Sequence, residues 1–120
     1  MRYLSAVSLI AVAVVVSATT VFAQQPTFSN KLLAYVRLFS ISMVAQQNCP
    51  GIKVNFDRLA SVYKSFGLQD EDTNAINQFV IGEEKNIEIE FNRKGRAKWC
   101  SNNWSELGPN GTVLSDTLKR

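Results

Sequence analysis

Apolar residues recur at helical spacing through most of the chain. Leu32, Val36, Phe39 and Met43 follow one another at steps of four, three and four residues, the repeat that lines one face of an α-helix. Leu33, Tyr35, Leu38 and Ile41 widen the apolar surface around that stripe. The pattern predicts a first helix from Asn30 to Gln46, capped by Ser29 or Asn30. A helix apolar on more than one side is either buried by its neighbours or offers a second face to a partner. Here that second face carries Tyr35 and Leu38, the candidate dimer surface. Asn48-Cys49-Pro50-Gly51 breaks the helix and turns the chain. A second helix is predicted from Phe56 to Phe66, with Asn55 as its cap and Phe56, Leu59, Ala60, Tyr63 and Phe66 along one side. Gly67 stands where a left-handed C-terminal cap is needed.

Asp70, Glu71 and Asp72 open the next apolar run, where acidic side chains complement the positive end of a helix dipole. They lack the alternate spacing of oxygen ligands that a calcium loop requires. The third helix then carries Ile76, Phe79 and Val80, is weakened at Gly82, and continues through Ile87 and Phe91. The segment Ile87 to Phe91 alternates apolar and charged residues as a strand would. No partner strand is visible in the sequence, and a lone strand leaves its backbone groups unpaired. Glu is also a good helix former, so this segment is assigned to the helix. Asn92-Arg93-Lys94-Gly95-Arg96 is a basic break, after which a last helix runs from Gly95 to Leu107. Gly108-Pro109 stops it, with the glycine as cap. On this helix Cys100 and Trp104 share a face, while Trp99 is offset by one residue and expected to be partly exposed. Residues 110–120 read as a mostly polar tail held by Val113 and Leu114. The predicted fold is all-α, a small bundle of three to four helices.

The first 23 residues do not belong to that fold. Met1-Arg2 gives a short positive start, Leu4 to Val16 is almost unbroken apolar sequence, and Val21-Phe22-Ala23 places small residues at a cleavage site. This is the pattern of a secretory leader, and the apolar run is short for a membrane anchor. The expected mature chain is residues 24–120, a single domain. Removal of the leader takes Arg2 with it and leaves 12 Lys and Arg against 10 Asp and Glu, a net charge of +2. That is too small for a dedicated nucleic-acid binder.

Export changes the reading of the two cysteines, Cys49 and Cys100. In an oxidising compartment they are expected to form one disulfide. Such a staple suits a chain of this length, which buries only a modest share of its surface. Two cysteines are few for a eukaryotic secreted domain, and the bacterial periplasm is the expected location. The matches to the glycosylation pattern at Asn103-Trp104-Ser105 and Asn110-Gly111-Thr112 carry no meaning there.

Candidate chemistry is sparse. The chain has no histidine, which removes Ser-His and Cys-His nucleophiles and most zinc sites. There is no Cys-x-x-Cys motif, no glycine-rich phosphate loop, and no cofactor or metal is expected. Glu83, Glu84, Glu88 and Glu90 are the remaining carboxylates for acid–base work, and their default on a helix surface is solvation. A non-enzymatic role is expected. The residues assigned to protein binding are the basic run Arg93, Lys94, Arg96 and Lys98 together with Trp99, which carry positive charge beside an aromatic anchor.

A leader, a helix ending in Cys49, the stretch Phe91 to Cys100, Trp104 and the exit Gly108-Pro109-Asn110-Gly111 together form an overall pattern. That pattern resembles small single-disulfide periplasmic proteins of alphaproteobacteria, among them the periplasmic inhibitors of lysozyme-type peptidoglycan hydrolases. The resemblance implies a protein partner, a peptidoglycan hydrolase or lysozyme, restrained by a surface that blocks its cleft. It supplies no motif from which inhibitory residues are carried over. Inhibitors of basic lysozymes are often acidic, whereas this chain is mildly basic, so the implied target is a bacterial muramidase. A second family, the acid-stress chaperones of the periplasm, is also small, helical and single-disulfide. It would use the second face of the first helix as a dimer surface, but its cysteine surroundings differ.

Overall fold

The computed structural model describes residues 30–120; the expected leader, residues 1–23, and the lead-in at 24–29 lie outside the described residues. Four α-helices are present among them: α1 (Asn30–Asn48), α2 (Phe56–Ser65), α3 (Thr73–Lys94) and α4 (Arg96–Leu107). Two very short strands, β1 (Lys53–Val54) and β2 (Leu118–Lys119), pair antiparallel. The fold is therefore an all-α bundle, clamped by a disulfide between Cys49 and Cys100. No helix among the described residues is long and apolar enough to cross a membrane.

The helix ends follow local chemistry. Asn48 donates from Nδ2 to the Val44 carbonyl at 2.9 Å, covering an acceptor in the last turn of α1. Asn55 accepts from the Arg58 backbone N–H at 3.3 Å and so caps α2. Gly67 adopts a φ of +71°, and the Leu68 N–H reaches back to the Tyr63 carbonyl at 3.2 Å. That is the left-handed exit for which glycine carries no steric penalty. Asp70–Asp72 form a 3-10 turn, and the Asp72 carboxylate accepts from the Gln69 N–H at 2.8 Å. α3 runs unbroken through Gly82 and through Ile87 to Phe91, so the alternating segment is helical.

α1 and α3 form the axis of the bundle. Leu32 clusters with Ile76, Arg37 pairs with Glu83 and Glu90, and Val44 and Ala45 cluster with Ile87. These pairings climb both helices in the same sense. The interior divides into two clusters. One surrounds the disulfide and contains Val44, Cys49, Ile52, Ile87, Trp99, Leu107 and Leu118. The other joins the first half of α1 to α2 and the start of α3, through Leu32, Tyr35, Val36, Val62, Leu68 and Ile76. Leu38 and Leu114 pack against both.

This arrangement corrects the assignment of Tyr35 to a dimer surface. Tyr35 is buried, with its ring edge-on to Tyr63 at 5.3 Å and beside Phe39 at 6.2 Å. Desolvation, helped by the neighbouring Tyr63, holds its phenol above the usual value. Leu38 is half-buried where the two clusters meet. Tyr35 is thus covered by the same chain, while Leu38 is only half-buried and also borders a groove between α1 and α4. On α2 the buried residues are Leu59 and Val62, whereas Phe56 and Ala60 are exposed, so the buried face is rotated from the one the spacing predicts.

The C-terminal segment is the larger departure from expectation. Residues 110–120 are not a loose tail. Leu118 and Thr117 are fully buried, and Lys53 and Val54 pair with Lys119 and Leu118. The Asn55 N–H donates to the Thr117 carbonyl at 3.0 Å, and Arg58 Nε donates to the Ser115 carbonyl at 3.0 Å. On the way the chain folds over the end of α4. The N–H groups of Thr112 and Val113 cover the orphan carbonyls of Ser105 and Glu106 at 3.1 and 3.0 Å. Of the two residues expected to hold the tail, Leu114 is half-buried and Val113 is exposed. Gly108 is not a left-handed cap. Its φ is −73°, and glycine is required because a Cβ would stand 2.6 Å from the Trp104 carbonyl oxygen.

Leu118→Ala is expected to lower the unfolding free energy by about 3 kcal/mol, measured by urea denaturation; a change near zero would show that the segment is dispensable. Ser42 donates to the Leu38 carbonyl at 2.7 Å, but the fully buried Ser40 hydroxyl has no partner. An orphaned buried hydroxyl carries a desolvation penalty, so Ser40→Ala is expected to raise the unfolding free energy by about 1 kcal/mol.

Candidate functional site

The corner between α3 and α4 is built by Gly95, whose φ of +85° reverses the chain direction. Phe91 and Trp99 close it, edge to face at 5.4 Å. Arg93 and Lys94 lie in the last turn of α3, where cations complement the helix dipole. Arg96 and Lys98 lie in the first turn of α4, which holds no acidic residue, so they stand against the dipole. All four are exposed. Among the described residues the ion pairs are those of Arg37 with Glu83 at 2.7 Å and with Glu90 at 3.5 Å. The four cations of the corner are therefore unpaired.

The structure enlarges this basic end. Lys53 and Lys119 stand directly opposite each other across the short ladder, an arrangement that destabilises an antiparallel pair. Lys53 and Arg96 border the same hollow of about 540 Å³ beside the disulfide, lined otherwise by residues 46–52. Arg120 lies over the Trp104 ring, 4.6 Å from its centroid. Lys53, Lys119, Arg120 and Trp104 were not part of the predicted site. They are far apart in the chain and come together through the ladder and the disulfide, which leave no local pattern to read.

Trp99 requires a correction. It is 2% exposed and belongs to the cluster around the disulfide, so it is not the partly exposed indole that its offset predicts. Trp104 is the half-buried indole. The buried stripe of α4 is Trp99, Asn103 and Leu107, at intervals of four residues. The polar Asn103 in its middle hides the stripe from a reading by hydrophobicity.

A second feature is a groove of about 450 Å³ between α1 and α4. Leu38, Ile41 and Leu107 supply apolar surface, and Arg37, Lys94, Glu90, Asn102, Asn103 and Glu106 supply polar groups. Of the candidate carboxylates, Glu83 and Glu90 are tied to Arg37, Glu84 is half-buried and Glu88 is exposed. Among the described residues no group of His, Cys, Asp and Glu is placed to hold a metal ion. One place offers unpaired positive charge, and the other mixed donors and acceptors.

The chain matches no protein-family model, no curated protein and no solved structure. Its functional reading therefore rests on its own geometry.

If Arg96 and Lys98 are held against the local dipole, reversing one charge should relieve the fold. Lys98→Glu is expected to raise the melting temperature by about 2 °C, followed by circular dichroism at low salt. A lower melting temperature would show that the first turn of α4 is not under electrostatic strain.

Proposed function

We propose that this protein is a non-enzymatic binding module of the bacterial periplasm that restrains a peptidoglycan hydrolase, a lysozyme-like muramidase. The observation that carries the reading is the basic end beside the disulfide. Arg93, Lys94, Arg96 and Lys98 are exposed and unpaired, and Lys53, Lys119 and Arg120 extend the same end of the molecule. Two of its features, the opposed lysines and the basic first turn of α4, cost folding energy locally. Features that break a local rule without a structural gain are expected where function requires them.

The mechanism is steric and electrostatic. Muramidases cleave with carboxylates that flank the scissile bond. A rigid corner that brings arginine and lysine to that cleft neutralises the carboxylates and shuts out the glycan strand. Trp104, half-buried under Arg120, supplies the aromatic anchor that interfaces of this kind favour. Rigidity matters because a surface already fixed loses little freedom on binding. Here the disulfide and the Gly95 turn fix it. The leader expected at residues 1–23 and the disulfide both accord with an oxidising compartment. The chaperone reading depends on the second face of the first helix, where Tyr35 is buried within the chain, so no observation favours it.

The test is the clearing of turbid cell-wall suspensions by a bacterial muramidase. The disulfide-bonded chain in stoichiometric excess should slow clearing, and Lys98→Glu should do so at least about tenfold less effectively. Unchanged clearing at excess would refute the reading.

A further inference from the structure

The groove between α1 and α4 is separate from the basic corner except at Lys94, and its chemistry is different. Asn103 is 8% exposed, yet it lines the groove. Its Nδ2 donates to the Trp99 carbonyl at 2.9 Å, which fixes the amide so that Oδ1 is the free end. That oxygen accepts no hydrogen bond within the chain and is not sealed from the groove. The residue as a whole is nine-tenths buried, and asparagine is a poor choice for the interior stripe of a helix. A leucine would satisfy packing there, between Trp99 and Leu107.

The surrounding charges select the occupant. Arg37 and Lys94 line the groove together with Glu90 and Glu106, two charges of each sign, so its net charge is zero. A cation would meet the two basic groups and an anion the two acidic ones. A purely apolar molecule would strip water from four charges without replacing it. A neutral molecule rich in hydroxyl groups satisfies both kinds of partner, since each hydroxyl donates once and accepts twice. The apolar floor of Leu38, Ile41 and Leu107 suits the hydrophobic face of a sugar ring. A volume of about 450 Å³ lies within the usual span of small-ligand sites.

We infer that this groove is a binding site for a short neutral oligosaccharide, with Asn103 Oδ1 accepting from a ring hydroxyl and Asn102, Glu106 and Lys94 closing around it. The inference is independent of the muramidase reading. A chain that binds sugar here without slowing a muramidase keeps the first and loses the second.

The experiment is an amide NMR titration of the disulfide-bonded chain with chitotriose, cellotriose and maltotriose. At least one should produce saturable shifts centred on the side-chain amides of Asn102 and Asn103 and the backbone of Leu38 and Val113. Asn103→Leu, which keeps the branched shape but removes the acceptor along with the donor to the Trp99 carbonyl, should weaken that binding about tenfold. Asn102→Ala, at an exposed position that the fold does not depend on, should weaken it as well. Lys98→Glu, outside the groove, should retain the shifts. The inference is overturned if none of the three sugars produces saturable shifts in the groove. It is equally overturned if acetate or ethylammonium binds there more tightly than all three, or if Asn102→Ala and Asn103→Leu both bind as the unaltered chain does.

Discussion

The bond between Cys49 and Cys100 is the constraint on which the rest of the molecule depends. It joins the end of α1 to the middle of α4 across 51 residues of sequence. Closing a loop of that length removes unfolded-state freedom worth about 4 kcal/mol in the chain-entropy model. For a domain of this size that is a large share of a typical net stability. The bond is also the seed of one of the two hydrophobic clusters, in which Trp99, Leu107, Ile87 and Leu118 gather around Cys49. The C-terminal segment then closes this end. Leu118 fills the cluster from below, and the ladder with Lys53 and Val54 holds it there.

The two functional candidates obtain their character from the same few elements. α4 presents Arg96 and Lys98 at its start and, one to two turns later, Asn102, Asn103 and Glu106 to the groove. Charge at the first is unopposed, and charge at the second is balanced. Such a separation within one twelve-residue helix allows a charged surface and a neutral site to coexist without competing for the same ligand. Arg37 contributes to the division by engaging Glu83 and Glu90. Glu90, four residues before Lys94 on the same helix, is thereby engaged away from the basic corner.

The sequence by itself determined the helices, several of their ends and the staple. Strong periodicity at Leu32, Val36, Phe39 and Met43, the asparagine cap at Asn55 and the glycine exit at Gly67 are local signals. Local signals survive into the fold because short-range sterics and hydrogen bonds cause them. The pairing of two lone cysteines needed no geometry at all. The basic run was legible for the same reason, since four cations within six residues of chain must share a neighbourhood.

Only the tertiary structure decided which side of each helix faces inward. The rotation of α4 is set by what it packs against, so Trp99 entered the core while Trp104, one turn from the bonded Cys100, stayed at the surface. The same holds for α2, where Val62 took the interior and Phe56 did not. Tyr35 became interior and Leu38 half-buried because α2, α3 and a C-terminal segment with no periodicity came to rest on them. A two-residue strand has no pattern of its own. Its place depends on Val54 and Asn55 offering backbone partners more than sixty residues upstream. The enlarged basic end and the unpartnered oxygen of Asn103 are likewise products of packing. Each is a relation between distant residues, and such relations exist only once the chain has folded.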